Sequence, residues 1–182
     1  MSLGQPEETA PAIVVPELPP ESGLRQTLAL IGFLIACFSV AVVGAAASVH
    51  SIPGWYATLH KPLFTPPNWL FAPVWTALYA LMAFAAWLVW RSPYLGPKAD
   101  ARSNGLIYFT FQLVINFLWA PVFFHLHRTF FALVIIVGLW FAIFQTMRCF
   151  NKVSRTAGVI MLVYLAWVSY ATLLNAAIFH LN

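Results

Sequence analysis

Polar and aromatic side chains recur at helical spacing within three long apolar segments of the sequence. In the third apolar segment a phenol, two amides and an indole follow an i, i+4, i+8, i+11 pattern, so a helix places them along one face. These residues are Tyr108, Gln112, Asn116 and Trp119. Amide side chains in hydrocarbon need hydrogen-bonding partners. The face must therefore look into a helix bundle or onto a polar ligand, and both interpretations stay open.

Two further apolar segments carry comparable stripes. The second segment contributes Trp75, Tyr79, Met82 and Ala86, and the fifth contributes Tyr164, Trp167, Ala171 and Asn175. An aromatic stripe more often packs a core than lines a pocket. Three stripes, two of them with carboxamides, together favour a shared internal cavity that suits a flat, hydrophobic small molecule.

Ordinary catalytic machinery is missing from the apolar segments. The five acidic residues lie in the N-terminal tail or in a polar loop, and they are Glu7, Glu8, Glu17, Glu21 and Asp100. Their positions exclude paired-carboxylate catalysis, hard-cation sites and an acidic proton relay in the membrane. The histidines lie near segment ends, and Cys37 and Cys149 form no metal or redox spacing. The sequence therefore predicts no metal site and no required cofactor, and any turnover must use the reactivity of a bound ligand.

Composition indicates an integral, multi-pass membrane protein. The 182 residues are 62% hydrophobic and 8% charged, with a mean hydropathy of +0.82, whereas soluble domains carry about 25% charged residues. Segments long enough to cross a hydrocarbon core of about 30 Å are predicted at about 24–49, 68–90, 105–124, 130–150 and 156–180. The predicted fold is an all-α membrane protein, a five-transmembrane-helix bundle over residues 24–182. The Pro- and Glu-rich residues 1–23 are predicted to be a disordered tail.

Basic residues predict the orientation of the bundle. Seven of them fall at the N-terminus and in the second and fourth loops, and these are Arg25, Arg91, Lys98, Arg102, Arg148, Lys152 and Arg155. Only Lys61 and Arg128 fall on the other side. By the positive-inside rule the N-terminus is cytoplasmic and the first loop faces outward. The formal charge of +4 is modest and helps to predict the topology. It does not indicate nucleic-acid binding, and we do not expect nucleic acid as a partner.

The first loop, between the first two spans, is unusually rich in proline. Three prolines, Pro62, Pro66 and Pro67, fix φ and remove backbone donors, so residues 61–67 are expected to be stiff and extended. Thr65 is expected to cap the following helix, with Pro66 as its first residue.

Aromatic rings flank this proline-rich segment. Trp55, Tyr56 and Trp69 have the amphipathic rings that settle at a membrane surface. One interpretation is a rigid aromatic lid over the bundle, and the other is an interfacial anchor followed by a helix start.

Four separated blocks of the sequence resemble the translocator protein family, also called tryptophan-rich sensory proteins or TspO. The first reads W-Y-x-x-L-x-K-P-x-x-x-P-P at residues 55–67 and continues as W-x-F-x-P-V-W-x-x-L-Y at residues 69–79. The others are Q-L-x-x-N-x-x-W at residues 112–119, the pair Phe123 and Phe124, and Y-L-A-W-V-S-Y-A at residues 164–171. The resemblance extends from about residue 24 to the C-terminus.

The resemblance implies a fold, ligands and a site. Members of this family are five-helix membrane proteins, commonly homodimers, that bind porphyrins, haem, sterols and synthetic benzodiazepine-type ligands in a cavity under the first loop. It thus implies a receptor or sensor for protoporphyrin IX or haem, with membrane lipid as a further partner, in a bacterial cell membrane. The implied ligand-binding residues are Tyr56, Pro66, Trp75, Tyr79, Gln112, Asn116, Trp119, Trp167 and Ala171.

Two readings of the activity follow from the resemblance. Some bacterial members degrade protoporphyrin in light, which implies Trp75 and Trp167 as the reactive residues of a light- and oxygen-dependent degradation. The alternative is a structural or transport-coupled component that moves sterol, lipid or porphyrin without catalysis. The chain departs from the family pattern at Val163, where relatives usually have proline. It also lacks the basic residue that ends the C-terminal sterol consensus.

Overall fold

The computed structural model describes residues 22–92, 96 and 98–182, and this part of the chain contains helices and no strand. The long helices are α1 (Gly23–Ser48), α3 (Asn68–Trp90), α4 (Ala99–Ala120), α5 (Thr129–Val153) and α6 (Arg155–Leu181). A short helix, α2 (Trp55–Thr58), lies between α1 and α3, and a π-helical turn (Pro121–His125) extends α4. Five helices are long and apolar enough to cross a membrane. The predicted five-transmembrane-helix bundle is therefore confirmed.

Helix starts differ from the predicted spans at two places. Ser22 and Gly23, assigned to the tail, begin α1, and the Ser22 hydroxyl accepts a hydrogen bond from the Arg25 N–H at 3.4 Å. The rest of the predicted tail lies outside the described residues. Helix α4 begins at Ala99 instead of near residue 105, because a helix can carry the mostly polar residues 100–104 beyond the apolar span.

The expected cap of α3 by Thr65 is wrong. Helix α3 begins at Asn68 after Pro67, and the Thr65 hydroxyl instead donates to the Pro62 carbonyl at 2.7 Å. The physical reason is that a residue before proline is disfavoured in the helical region, so two consecutive prolines keep Thr65 and Pro66 out of the helix.

The core lies among α3, α4, α5 and α6, and α1 packs against one side of it. Helix α6 has ten buried residues, whereas α1 has two, Cys37 and Val40. Most of the surface of α1 therefore faces lipid or lines internal space. This unequal burial makes α1 the least strongly held span of the bundle.

Two glycines permit close helix packing in the half of the bundle away from α2. A Cβ atom at Gly158 would lie 2.6 Å from the Asn151 side chain and 2.8 Å from its Cα atom. At Gly105 it would lie 2.9 Å from the Phe150 ring. Helices α4, α5 and α6 therefore meet in a tight base, and internal space is left at the opposite end.

Candidate functional site

A cavity of about 230 Å³ lies among α1, α3, α4 and α6, beneath α2. Its wall is mostly aromatic on the side of α3 and α4. The aromatic lining residues are Tyr56, Phe71, Trp75, Tyr79, Trp119, Phe123 and Phe124. The side formed by α1 is smooth, because its lining residues are small. They are Ala41, Gly44, Ala45 and Ser48.

A buried hydrogen-bond network ties three helices together at the floor of the cavity. The Tyr79 hydroxyl donates to Asn116 Oδ1 at 3.2 Å, and Asn116 Nδ2 donates to the Tyr164 oxygen at 2.6 Å. The Tyr164 hydroxyl donates to Gln112 Oε1 at 3.3 Å. The Trp75 ring lies on this network, with its centroid 5.7 Å from that of Tyr79 and 6.4 Å from that of Tyr164. Asn116 is thereby fixed in orientation at the cavity wall.

Tyr56 forms part of the roof. Its side chain is buried, and its hydroxyl has no hydrogen-bond partner. Burial raises the pKa of Tyr56 to about 12, and charge on the nearby Tyr170 phenol adds to the rise. The hydroxyl is therefore neutral near pH 7 and remains available to donate to an acceptor in the cavity.

Residues 49–67, which include α2, form what we call the lid. On one side it is fixed to the turn between α4 and α5. The Trp55 ring stacks on His127 at 4.2 Å between centroids and 18° between planes, and the Ser51 hydroxyl donates to the Phe124 carbonyl. Lys61 Nζ closes the lid on itself by donating to the Tyr56 carbonyl at 2.8 Å.

On the other side, hydrogen bonds fix the lid to α6. The His60 N–H donates to Asn182 Oδ1 at 2.9 Å, and the Tyr170 hydroxyl donates to the Phe64 carbonyl at 2.6 Å. Because both edges are held, the lid covers the cavity as an ordered element of the fold.

Six of the nine predicted ligand-binding residues line the cavity. They are Tyr56, Trp75, Tyr79, Asn116, Trp119 and Ala171. The other three lie beside it. Pro66 is part of the lid but outside the lining, and Gln112 is fully buried one helical turn further from the lid than Asn116. Trp167 packs edge-on against Phe71 at 6.3 Å, and its buried Nε1 has no partner.

Some lining residues were not assigned to the site from the sequence, and one predicted stripe residue lies elsewhere. Tyr108 is 37% exposed on the outside of α4. Asn175 lines the cavity, accepts a hydrogen bond from Trp119 Nε1 at 3.2 Å and donates to the Thr129 carbonyl at 3.1 Å. The stripe on the fifth span contained Asn175, whereas the small residues of α1 give no such signal.

The chemistry available in the cavity is that of apolar and hydrogen-bonding groups. Within the described part of the chain, no three His, Cys, Asp or Glu side chains come together in a way that could hold a metal ion. The polar lining atoms come from Ser48, Asn68, Thr76, Asn116 and Asn175, together with the two phenols. Such a wall can bind a hydrophobic ligand and orient its few polar groups.

A model of the TspO/MBR family matches residues 33–181. The chain is 37% identical over 155 residues to a protein of Archaeoglobus fulgidus named tryptophan-rich protein TspO, covering 85% of this chain and 97% of that one. It is 35% identical over 150 residues to protein CrtK of Rhodobacter capsulatus, covering 82% and 90%. It is also 35% identical over 128 residues to the human translocator protein, covering 70% and 75%.

Proposed function

The chain belongs to the TspO/MBR family of integral, multi-pass membrane proteins, a membership that fits a sensor or translocator role, and from that premise we propose that it is a membrane receptor for tetrapyrroles. The proposed ligands are protoporphyrin IX and haem, bound in the cavity beneath the lid. The proposed role is in tetrapyrrole homeostasis or the response to stress.

The observation that carries this proposal is the aromatic wall beside a free hydrogen-bond donor. Flat apolar rings stack favourably on aromatic side chains, and Trp75, Trp119 and Phe123 offer such faces. Protoporphyrin also has two carboxylates. The Tyr56 hydroxyl can donate to one, and the cations at this end of the bundle, Lys61 and Arg128, favour negative charge there.

A porphyrin needs more room than the cavity offers in this conformation. Its volume, about 230 Å³, lies below the roughly 300–1,000 Å³ of typical ligand sites. We infer that α1 moves outward on binding, because it has only two buried residues and presents small side chains to the cavity. Displacing such a helix costs less than displacing α6.

Titration of the purified protein with protoporphyrin IX, followed by tryptophan quenching, tests the proposal. Trp75→Phe is expected to weaken binding by a few-fold, because phenylalanine keeps an aromatic face and loses only part of the about 0.5–1.5 kcal/mol that an aromatic pair contributes. Trp140→Phe is the matched control, because Trp140 lies on α5, which contributes no lining residue, and its Nε1 donates to the Ser169 hydroxyl at 2.8 Å. Equal affinities of the two variants would contradict the site assignment. An absence of saturable binding would contradict protoporphyrin IX as the ligand.

Light-dependent degradation of the porphyrin is a second part of the proposal. The excited ligand would supply the reactivity toward oxygen, and the protein would position it. Of the two tryptophans implied by the resemblance, Trp75 lines the cavity and Trp167 lies behind Phe71. We therefore propose Trp75 as the residue that takes part directly.

A transport-coupled component without catalysis is the competing proposal. Its support is Gln112, which is buried away from the cavity and bonds to Tyr164 on α6, as expected of an amide that only packs helices. Asn116 separates the two proposals, because it belongs both to the network and to the cavity wall. A ligand response that survives the loss of Asn116 would favour the competing proposal.

The membrane, the orientation and the oligomer also belong to this proposal. The basic residues gathered at the end opposite the lid support a cytoplasmic N-terminus. A bacterial cell membrane and a homodimer, with sterol or lipid as further partners, stay predictions from the resemblance.

A further inference from the structure

The end of the lid is apolar and exposed. We call residues 62–69, where the lid leads into α3, the lid tip. Leu63 is exposed over its whole side chain, Trp69 is 71% exposed and Phe64 is 52% exposed. The lid tip contains no charged residue. The preceding Lys61 turns its ammonium group away, onto the Tyr56 carbonyl at 2.8 Å.

The lid tip lies well below the end of α6. The Phe64 carbonyl accepts a hydrogen bond from the Tyr170 hydroxyl at 2.6 Å. Tyr170 comes eleven residues before Leu181, where α6 ends, which is about 16 Å along a helix. Side chains of a helix tilt toward its N-terminus, so the phenol does not reach back toward Leu181. The lid therefore descends along the outside of the bundle after its contact with Asn182.

The depth of the lid tip in the membrane follows from counting helix residues from the basic end of the bundle. Arg155 begins α6 among the basic residues opposite the lid, and about 30 Å of hydrocarbon corresponds to roughly 20 residues, which reaches Asn175. Tyr170 then lies about 7 Å inside the boundary. The same count back from Arg91 along α3 reaches Phe71, just after the lid tip. The two counts place the lid tip at the boundary: the count along α6 puts the Tyr170–Phe64 contact about 7 Å inside it, and the count along α3 puts Trp69 about 3 Å outside it.

The backbone of this segment is suited to a medium with little water. Three of residues 62–67 are prolines without an N–H group, and the Thr65 N–H donates to the Pro62 carbonyl at 3.0 Å. The Thr65 hydroxyl bonds to the same carbonyl at 2.7 Å. Within residues 62–67 this leaves only two backbone donors, those of Leu63 and Phe64, without a partner. Few unpaired donors make a non-helical segment tolerable at the edge of hydrocarbon.

We propose that the lid tip inserts into the leaflet on the lid side of the membrane and binds the acyl chains of phospholipids. Leu63 is the deepest anchor, and the Trp69 ring lies at the boundary, where indoles are favoured. The bilayer then holds the lid as a third support, beside Asn182 and His127. This inference depends on the position of the bundle in the membrane and not on any tetrapyrrole.

Fluorescent labelling at single cysteines tests the insertion. In a Cys37→Ala, Cys149→Ala background, the full chain with Leu63→Cys is labelled with NBD and placed in phosphatidylcholine–phosphatidylglycerol vesicles. Because the Leu63 side chain is fully exposed, replacing it breaks no packing contact, and the variant should fold. Thr58→Cys on the exposed face of α2 is the water control, and Phe141→Cys, 59% exposed on α5, is the lipid control.

The expected result is a blue-shifted emission at Leu63 that brominated acyl chains quench nearly as well as at Phe141. Aqueous iodide should quench it several-fold less than at Thr58. Iodide quenching equal to that at Thr58 would overturn the proposal. Protection from both quenchers would also overturn it, since the lid tip would then be covered by protein, such as a second copy of the chain.

Discussion

The side-chain amide of Asn182 pairs in both directions with the backbone of His60. Asn182 Oδ1 accepts from the His60 N–H at 2.9 Å, and Asn182 Nδ2 donates to the His60 carbonyl at 3.0 Å. A further bond from Nδ2 to the Ile178 carbonyl, at 2.8 Å, holds the amide on α6. The lid and the end of α6 are therefore joined by the same pattern of bonds that joins two strands.

Asn182→Ala is expected to loosen the lid without unfolding the bundle. Both bonds to His60 are lost, so backbone exchange at residues 57–61 should accelerate, and the proposed tetrapyrrole should dissociate several-fold faster. Hydrogen-exchange mass spectrometry and stopped-flow release measure the two effects. His180→Ala, exposed at the same helix end, is the control and should change neither rate. Unchanged exchange in Asn182→Ala would show that the pair does not hold the lid.

Two amides one turn apart on α4 should respond differently to substitution. Asn116→Leu leaves the Tyr79 and Tyr164 hydroxyls short of partners, at about 1–3 kcal/mol for each one left unpaired. It should lower the thermal midpoint and weaken porphyrin binding.

Gln112→Met is the matched comparison. Gln112 Nε2 is already unpaired, but Gln112 Oε1 accepts from the Tyr164 hydroxyl, so Gln112→Met leaves one buried hydroxyl without an acceptor, whereas Asn116→Leu affects two. The loss of stability should therefore be smaller than for Asn116→Leu, and affinity should stay the same because Gln112 does not line the cavity. Thermal unfolding and titration of both variants decide the point. Equal destabilisation by the two substitutions contradicts the network described for the floor.

Tyr56 makes stability depend on pH in the alkaline range. Its folded-state pKa of about 12 lies above the unfolded value of about 10. The fold therefore favours the neutral phenol, and this contribution is fully present below pH 10 and is lost as pH rises toward 12. The native protein should lose more stability between these values than Tyr56→Phe does. Thermal unfolding at pH 8, 10 and 12 measures the difference, and parallel curves would refute it.

Near pH 7 the same substitution should not harm the empty protein. The Tyr56 hydroxyl is buried without a partner, so Tyr56→Phe should be as stable as the native chain or more stable, by up to about 1–2 kcal/mol. It should bind protoporphyrin more weakly, because the ligand loses a donor. A clear loss of stability at pH 7 would show that the hydroxyl has a partner within the fold.

Close packing of α5 on α6 should make Gly158 intolerant of a side chain. Gly158→Ala places a methyl group 2.8 Å from the Asn151 Cα atom, which a side-chain rotation cannot relieve. We expect a loss of about 1–3 kcal/mol or more in thermal unfolding. Gly138→Ala is the matched control within α5, where nothing lies within 4 Å, and it should gain up to about 1 kcal/mol. Similar effects at both positions would contradict the close approach.

Illumination distinguishes the two tryptophans that the resemblance implicates. With protoporphyrin bound and oxygen present, the Soret band of the complex should bleach faster than that of porphyrin in detergent. Trp75→Phe should slow this bleaching, and Trp167→Phe should slow it less, because the Trp167 ring lies behind Phe71. Bleaching no faster than in detergent would leave a binding protein without photochemical activity.

Periodicity predicted the helices well and the direction of their faces less well. On α4 the inward direction follows Gly105, Phe109 and Asn116, which are all buried. Tyr108 is turned about 80° from Asn116, at 100° per residue, and so falls on the outside. A stripe in the sequence shows which residues share a side of a helix, but the packing of neighbouring helices decides where that side points.

Contacts between distant parts of the chain carried no sequence signal. His60 and Asn182 are 122 residues apart, and neither residue type indicates the other. Ala45 and Gly44 line the cavity through their small size, which a search for polar or aromatic residues passes over. The amide residues of the site could be predicted because an amide in hydrocarbon costs free energy unless it has a hydrogen-bonding partner. The aromatic residues could be predicted because tryptophan and tyrosine are usually enriched at the membrane surface, so a stripe of them within a span indicates an inward-facing role.

The small number of buried residues on α1 also has a consequence for the insertion of the protein into the membrane during synthesis. A chain enters the membrane from its N-terminus, so α1 must reside in lipid before its partners are synthesised. Only Cys37 and Val40 of α1 are buried in the finished bundle. Most of the surface of α1 is therefore compatible with lipid both before and after the other helices are added. Helix α6, with ten buried residues including Asn175, follows α4 and α5 along the chain, so Trp119 and Thr129, which bond that amide, are synthesised before it. The order of the helices along the chain thus allows Asn175 to meet both of its partners as soon as α6 enters the membrane.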